Sequence, residues 1–257
     1  MIVDYHMHLR DPEEDVSFTV AAIERFVEVA AERGVDEIGF TEHVYYFVQT
    51  RDVWSLPYQF DRCVYDLDAY VDAVVDAKRQ GMPVKVGLEV DYVGPRQDEL
   101  AAALEPYPWD YLLGSVHWID GEAVDQQPGI WLAASVEEVW RRYFGALSEL
   151  AASGHVDVLA HPDLAKIFRE RPGRIEYPEL PGVTLEISTS GLHKPVGEIY
   201  PDPAMLAGRP PITLASDAHL PADVGRDFDR ALELVRGAGY ETVTVFEGRV
   251  GRQEPLG

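Results

Sequence analysis

A chain of 257 residues, 46% hydrophobic and 26% charged, has ordinary globular composition and is long enough to bury a core; the length suits a single barrel of strands and helices. The net charge of -23 is not ordinary. It argues against nucleic acid or an anionic membrane as main partner, since each wants a basic face, and it repels a small phosphorylated molecule unless bound cations invert the local field. The one cysteine, Cys63, permits no intrachain disulfide and fits a reducing, cytoplasmic setting, where it reads as a small buried apolar residue. Residues 1–4 enter a strand with no basic-then-apolar leader, and no apolar run approaches the ~20 residues of a spanning helix.

The predicted elements alternate. Residues 1–8 form a first strand carrying His6 and His8, two apart and therefore on one side of it. Ser17 caps a helix with Ile23, Phe26, Val27 and Ala30 at helical spacing, closed by Gly34. Residues 35–41 are a second strand ending in Thr41-Glu42-His43. An aromatic segment, 44–65, is too long for a silent connection; it is either a lid over a substrate or a satellite cluster. A helix over 66–80 stops at Gly81, and a third strand over 84–90 carries Glu89. A short helix spans 95–104, and a fourth strand, 109–116, delivers His117.

A polar insertion, 120–129, follows, then the capping box Ser135-Val136-Glu137-Glu138, opening a helix to about residue 153. A fifth strand, 156–160, delivers His161; a sixth, 183–187, carries Glu186. A seventh, 212–215, runs into Ser216-Asp217-Ala218-His219. A helix over 227–236 and a strand over 242–246 complete the pattern, with a polar, frayed tail from Gly248. Strands alternating with helices imply a parallel sheet covered by helices, about seven units imply a closed or nearly closed barrel, and nothing divides the chain, so one domain is expected.

Of the 8 histidines, six (His6, His8, His43, His117, His161 and His219) fall at or just past strand ends, with Glu89 and Asp217 at matching places. In a parallel barrel those ends share the face that carries chemistry. Imidazole and carboxylate together suit zinc, manganese or iron, and the set exceeds what one ion can use. More than one metal is implied, with Glu89 the candidate to bridge two. Paired ions of this kind serve phosphoryl transfer. His155, ahead of its strand, belongs at the opposite end and reads as structural, and Glu42 reads as support for the fold or for a ligand histidine.

These residues, with the phrases Asp4-Tyr5-His6-Met7-His8, Gly114-Ser115-Val116-His117, Leu185-Glu186-Ile187-Ser188-Thr189-Ser190-Gly191-Leu192, Lys194-Pro195-Val196-Gly197-Glu198-Ile199-Tyr200-Pro201 and Ser216-Asp217-Ala218-His219, resemble the polymerase-and-histidinol-phosphatase (PHP) superfamily, and most closely its monofunctional histidinol-phosphate phosphatases. The resemblance implies a distorted (β/α)7 barrel with two or three divalent ions. The first ion would take His6, His8, Glu89 and Asp217; a second would share Glu89 and add His117 and His161. A third would use His43 and His219 with an acid from the loop after His8, where Glu13 and Glu14 stand and Glu14 is favoured; the family places His or Asp there. It further implies hydrolysis of L-histidinol phosphate by a hydroxide bridging two metals, with Asp217 or His219 managing the leaving-group proton. Glu186 would meet the substrate amine or orient a ligand histidine. His193, in what is an Arg position of the family, and Lys194 or Arg10 would meet the phosphate; Lys166 and Arg169 are weaker cations of the same kind. The alternatives are a phosphoesterase of this fold acting on nucleotides, sugars or cyclic phosphates, and a non-catalytic metal-stabilised domain.

Overall fold

The computed structural model describes residues 1–10, 18–127 and 129–257. In chain order the helices and strands are β1 (Val3–Asp4), α1 (Val20–Glu32), β2 (Glu37–Phe40), α2 (Pro57–Arg62), α3 (Leu67–Arg79), β3 (Val84–Val86), β4 (Glu89–Asp91), α4 (Gln97–Leu104), β5 (Leu113–Ser115), β6 (Trp118–Ile119), β7 (Glu122–Ala123), α5 (Val136–Ala152), β8 (Val158–Leu159), β9 (Thr184–Ser188), β10 (Ile212–Ala215), α6 (Phe228–Gly237), β11 (Thr242–Glu247) and β12 (Val250–Pro255).

The architecture is mixed α/β with two parallel sheets, ordered β1-β2-β3 and β10-β9-β8-β5-β4. Backbone hydrogen bonds run between them at both margins. Tyr5 N–H donates to Leu214 O (3.0 Å) and His8 N–H to Ala218 O (2.8 Å). On the other side Gly87 N–H donates to Phe40 O (3.0 Å) and Glu89 N–H to Glu42 O (3.1 Å). The expected third strand is thus two: β3 serves one sheet and β4 the other, with the break at Gly87-Leu88.

Packing explains that break. Tyr5, Tyr111 and Phe246 stack as a buried aromatic column, with ring centroids 5.0 Å apart for the first pair and 5.6 Å for the second. Tyr111 Oη donates to Tyr5 O at 2.7 Å. The ring needs room against β2 and against the β3–β4 break, which Gly39 and Gly87 supply: a Cβ would stand 2.1 Å from Tyr111 Oη at Gly39 and 2.8 Å from its Cζ at Gly87. Gly39→Ala is therefore expected to cost about 3 kcal/mol through overpacking, read as a lower urea midpoint; an unchanged midpoint would show that the ring moves aside freely.

The helices close over the sheets by their apolar faces. Thr19, one turn ahead of the buried Ile23 and Phe26, accepts from Ala22 N–H and opens α1. The expected cap, Ser17, lies outside the described residues. Ser135 caps α5 by accepting from Glu138 N–H, and Tyr143, Leu147 and Leu150 face inward. The polar insertion begins as the turn of a short hairpin, whose first strand, β6, precedes it and whose second, β7, lies within it. The tail is not frayed: β12 pairs antiparallel with β11, and Gly257 N–H reaches Met1 O at 3.2 Å. Its alternating side chains are mostly solvent-facing, so polarity marked an edge strand, not disorder. No helix among the described residues is long and apolar enough to cross a membrane.

Candidate metal centre

Parallel strands bring their C-terminal ends to one face, and there residues from the first strand meet residues more than two hundred positions away, His6 and Asp217 among them. Glu89, at the start of β4, is wholly buried and central. Its Oε2 faces His43 Nδ1 (2.6 Å), His6 Nε2 (3.5 Å) and His8 Nε2 (3.8 Å). Its Oε1 faces His117 Nε2 (3.5 Å) and His161 Nε2 (3.4 Å). Asp217 Oδ1 stands 3.6 Å from His6 Nε2, 3.4 Å from His8 Nε2 and 3.7 Å from His219 Nδ1. Two of these residues sit at positive φ, His161 at 27° and Asp217 at 54°, a local strain that the surrounding packing supports.

The donor set fits divalent cations. Both Glu89 oxygens are buried and lack a hydrogen-bond partner among the described residues, although imidazoles ring them. Four groupings among the described residues have donor atoms close enough for one ion: His6, His8 and Glu89; Glu89, His117 and His161; His8, His43 and His219; and His43, Asp91 and His117. A carboxylate with one oxygen toward His6, His8 and His43 and the other toward His117 and His161 has the arrangement a bridging ligand requires.

The electrostatics show how much charge the cluster concentrates. Burial alone would raise the Glu89 carboxyl, yet His43, His117 and His6 hold it well below the usual range. Burial opposes charge on His8, but Asp217 and Glu42 bring it up to about 9; against the same penalty Glu89 and Asp91 bring His117 up to about 10. Burial and the charge on His8 push His219 down to about 4, while its outer edge stays open at 42% exposure. Protons on His8 and His117 thus occupy the role that a bound cation would take over.

Behind the imidazoles lies a layer of acids. Glu186 Oε2 meets His6 Nδ1 at 2.8 Å, and its Oε1 accepts from His161 N–H at 3.3 Å. Expected against either a substrate amine or a ligand histidine, it is fully buried behind the histidines with both oxygens engaged inside the protein. Glu42 Oε1 meets His8 Nδ1 at 3.2 Å, and Asp91 Oδ1 meets His117 Nδ1 at 2.7 Å. Asp91 escaped the sequence reading although Glu89-x-Asp91 has the two-residue spacing that puts both acids on one strand face. Asp4, two residues before His6, accepts from Ser216 N–H, Ser216 Oγ and Gly225 N–H and so fixes the loop that carries Asp217.

The other singled-out residues scatter around this centre. Lys194 lines a recess of about 240 Å³ with Asp217, His219, Ser190 and Arg226. His193 bridges Asp227 (2.6 Å) and Arg226 (2.7 Å) at the edge of that recess. Arg10 lies over the Tyr46 ring and donates to its hydroxyl at 3.2 Å, while its own N–H donates to Glu42. Lys166 is buried against Asp163 (2.9 Å) and Ile199 O (2.8 Å), so it is a core ion pair and not a free cation. His155 pairs with Asp98, away from the cluster. Glu13 and Glu14 lie outside the described residues. The aromatic segment packs largely as a buried cluster, and Tyr45 stacks on His43 at 4.9 Å and meets Trp118 edge-on at 5.4 Å. Its cysteine, Cys63, is buried and donates to Phe47 O.

Fold and site define an α/β protein of parallel sheets whose strand ends hold a histidine–carboxylate centre for divalent metal. The family model of the PHP domain matches residues 4–188, and the chain belongs to that family. It is 28% identical over 240 residues to a probable histidinol-phosphatase of Deinococcus radiodurans, covering 85% of this chain and 88% of that one. It is 26% identical over 250 residues to the histidinol-phosphatase of Bacillus subtilis, covering 82% and 92%. Its fold is similar to that of the histidinol phosphate phosphatase of Lactococcus lactis, solved with zinc, L-histidinol and phosphate: TM-score 0.70 at 21% identity, covering 98% of each chain.

Proposed function

We propose that this chain is a metal-dependent phosphomonoesterase that hydrolyses L-histidinol phosphate to L-histidinol and phosphate. The observation that carries the reading is the Glu89 carboxylate, buried, unpaired in hydrogen bonds and set between two groups of imidazoles. Relatives named as histidinol-phosphatases, aligned over most of both chains, support the substrate.

His6, His8, Glu89 and Asp217 would hold one ion, and Glu89, His117 and His161 a second. His43 and His219 would contribute to a third with Glu14. Zinc, manganese or iron suits these donors. Such ions supply charge to neutralise phosphoryl oxygens and activate a water for in-line attack. Lys194, which lines the same recess as Asp217, would meet the ester phosphate, with His193 held by Asp227 and Arg226 at the recess edge. Asp217 and His219 border the same recess, and either would manage the proton of the leaving alkoxide. Tyr45 and Trp118, next to His43 and His117, would offer an aromatic wall for an imidazole-bearing substrate.

The hydrogen bonds joining the end of β1 to β10 and the end of β2 to β4 support reading the two sheets as one distorted barrel, seven-stranded when β3 and β4 count as one broken strand, and the chain as one domain. The substrate reading is tested by assaying zinc- or manganese-loaded protein against a phosphate-ester panel. Histidinol phosphate is expected to exceed p-nitrophenyl phosphate, sugar phosphates and nucleotides in kcat/KM by on the order of 10²-fold or more, since matched polar contacts discriminate strongly. Equal rates across the panel would remove the substrate and leave only a phosphoesterase.

A further inference from the structure

The imidazoles of the centre are not equally supported. His6 and His8, which converge with Nε2 atoms 3.3 Å apart, are each backed at Nδ1 by their own buried acid, Glu186 and Glu42. On the other side of Glu89 only one imidazole of the pair is backed: Asp91 holds His117 Nδ1 at 2.7 Å, whereas His161 Nδ1 is buried with no hydrogen-bond partner among the described residues. A carboxylate behind a histidine fixes its tautomer and ring orientation and raises its basicity toward a cation. The pair His6/His8 therefore has two independent supports, and the pair His117/His161 has one.

We propose that Asp91 is the positioning residue on which the ion shared by Glu89, His117 and His161 depends, and that this ion is the more easily lost of the two. The inference rests on the reading that both positions take up metal. Asp91 is fully buried, its Oδ1 is committed to His117, and it shares a strand face with Glu89, so a single two-residue step of β4 supplies both the central carboxylate and the support of one imidazole. Among the described residues Ser115 Oγ, 3.3 Å from His117 Nδ1, is the one other hydrogen-bond partner of that nitrogen, and a hydroxyl cannot replace the charge. By contrast, loss of Glu42 leaves His6 held by Glu186 at the first position.

The test is retention of zinc against a graded chelator, read as zinc per folded chain, with folding checked by circular dichroism. Wild-type protein is expected to release one ion of the Glu89 pair before the other. D91A is expected to move that earlier release to a roughly 10–100-fold lower chelator concentration and to leave the later one in place, with a smaller shift in E42A. D91N keeps an acceptor for His117 Nδ1–H while losing the charge, so it should shift the same ion by less; it decides the matter if D91A does not fold. Simultaneous release of both ions in wild type, or zinc retention in the Asp91 variants equal to wild type, would overturn the inference while leaving metal binding intact. Failure of the wild-type protein to take up zinc would overturn it together with the reading it rests on.

Discussion

Glu89→Gln is expected to lower kcat/KM for the phosphate ester on the order of 10³-fold, the loss seen when a principal electrostatic group is removed from a buried site. The substitution keeps the shape and discards the charge. One oxygen of Glu89 faces His6, His8 and His43, and the other faces His117 and His161, so both groups of imidazoles lose their shared anion at once. The amide would also aim N–H donors at nitrogens that must offer lone pairs. Steady-state kinetics with metal analysis checks this. An E89Q enzyme that keeps two ions and works within tenfold of wild type would show that Glu89 is a bystander.

Removing metal is the second large effect. A ligand that binds only the folded state at 1,000 times its Kd stabilises by about 4 kcal/mol, and for a chain of this size each kcal/mol moves Tm by roughly 2–4 °C. Chelation should therefore abolish turnover and lower Tm by roughly 10 °C. The increment should depend on pH, and its sign follows from the imidazoles. His8 and His117 in the metal-free protein are raised to about 9 and about 10. Their contribution to the metal-free fold is fully present below the unfolded value near 6.5 and is lost as pH rises through 9 to 10. Metal must displace those protons, so its affinity weakens as pH falls. The Tm difference between loaded and chelated protein should thus widen from pH 6 to pH 9. Calorimetric scans across that range check it, and a difference that narrows would contradict the assignment of His8 and His117 as ligands.

The histidines at strand ends were legible because period-two alternation and the parallel pattern fix where strands finish, and a shared face then follows from topology alone. His6, His8, His117 and His161 meet around Glu89 at 3.4 to 3.8 Å for that reason. What the sequence hides is the layer behind. Whether Glu186 faced a substrate or a histidine depended on a side-chain direction at the end of β9, and Asp91 looked like any acid following a strand. The division of residues 84–91 between two sheets was illegible too, since it arises from the room that Tyr111 takes against Gly39 and Gly87, a contact across distant strands. Polarity of the last ten residues suggested fraying because an edge strand with solvent on its outer side uses the same residue types as a loose tail.

The decisive quantity is the number and position of ions around one carboxylate, Glu89. Anomalous scattering from zinc-loaded crystals is expected to show at least two peaks, one beside each Glu89 oxygen, the first among His6, His8 and Asp217 and the second between His117 and His161. A map with no peak in contact with Glu89, or with zinc bound only at surface acids, would contradict it.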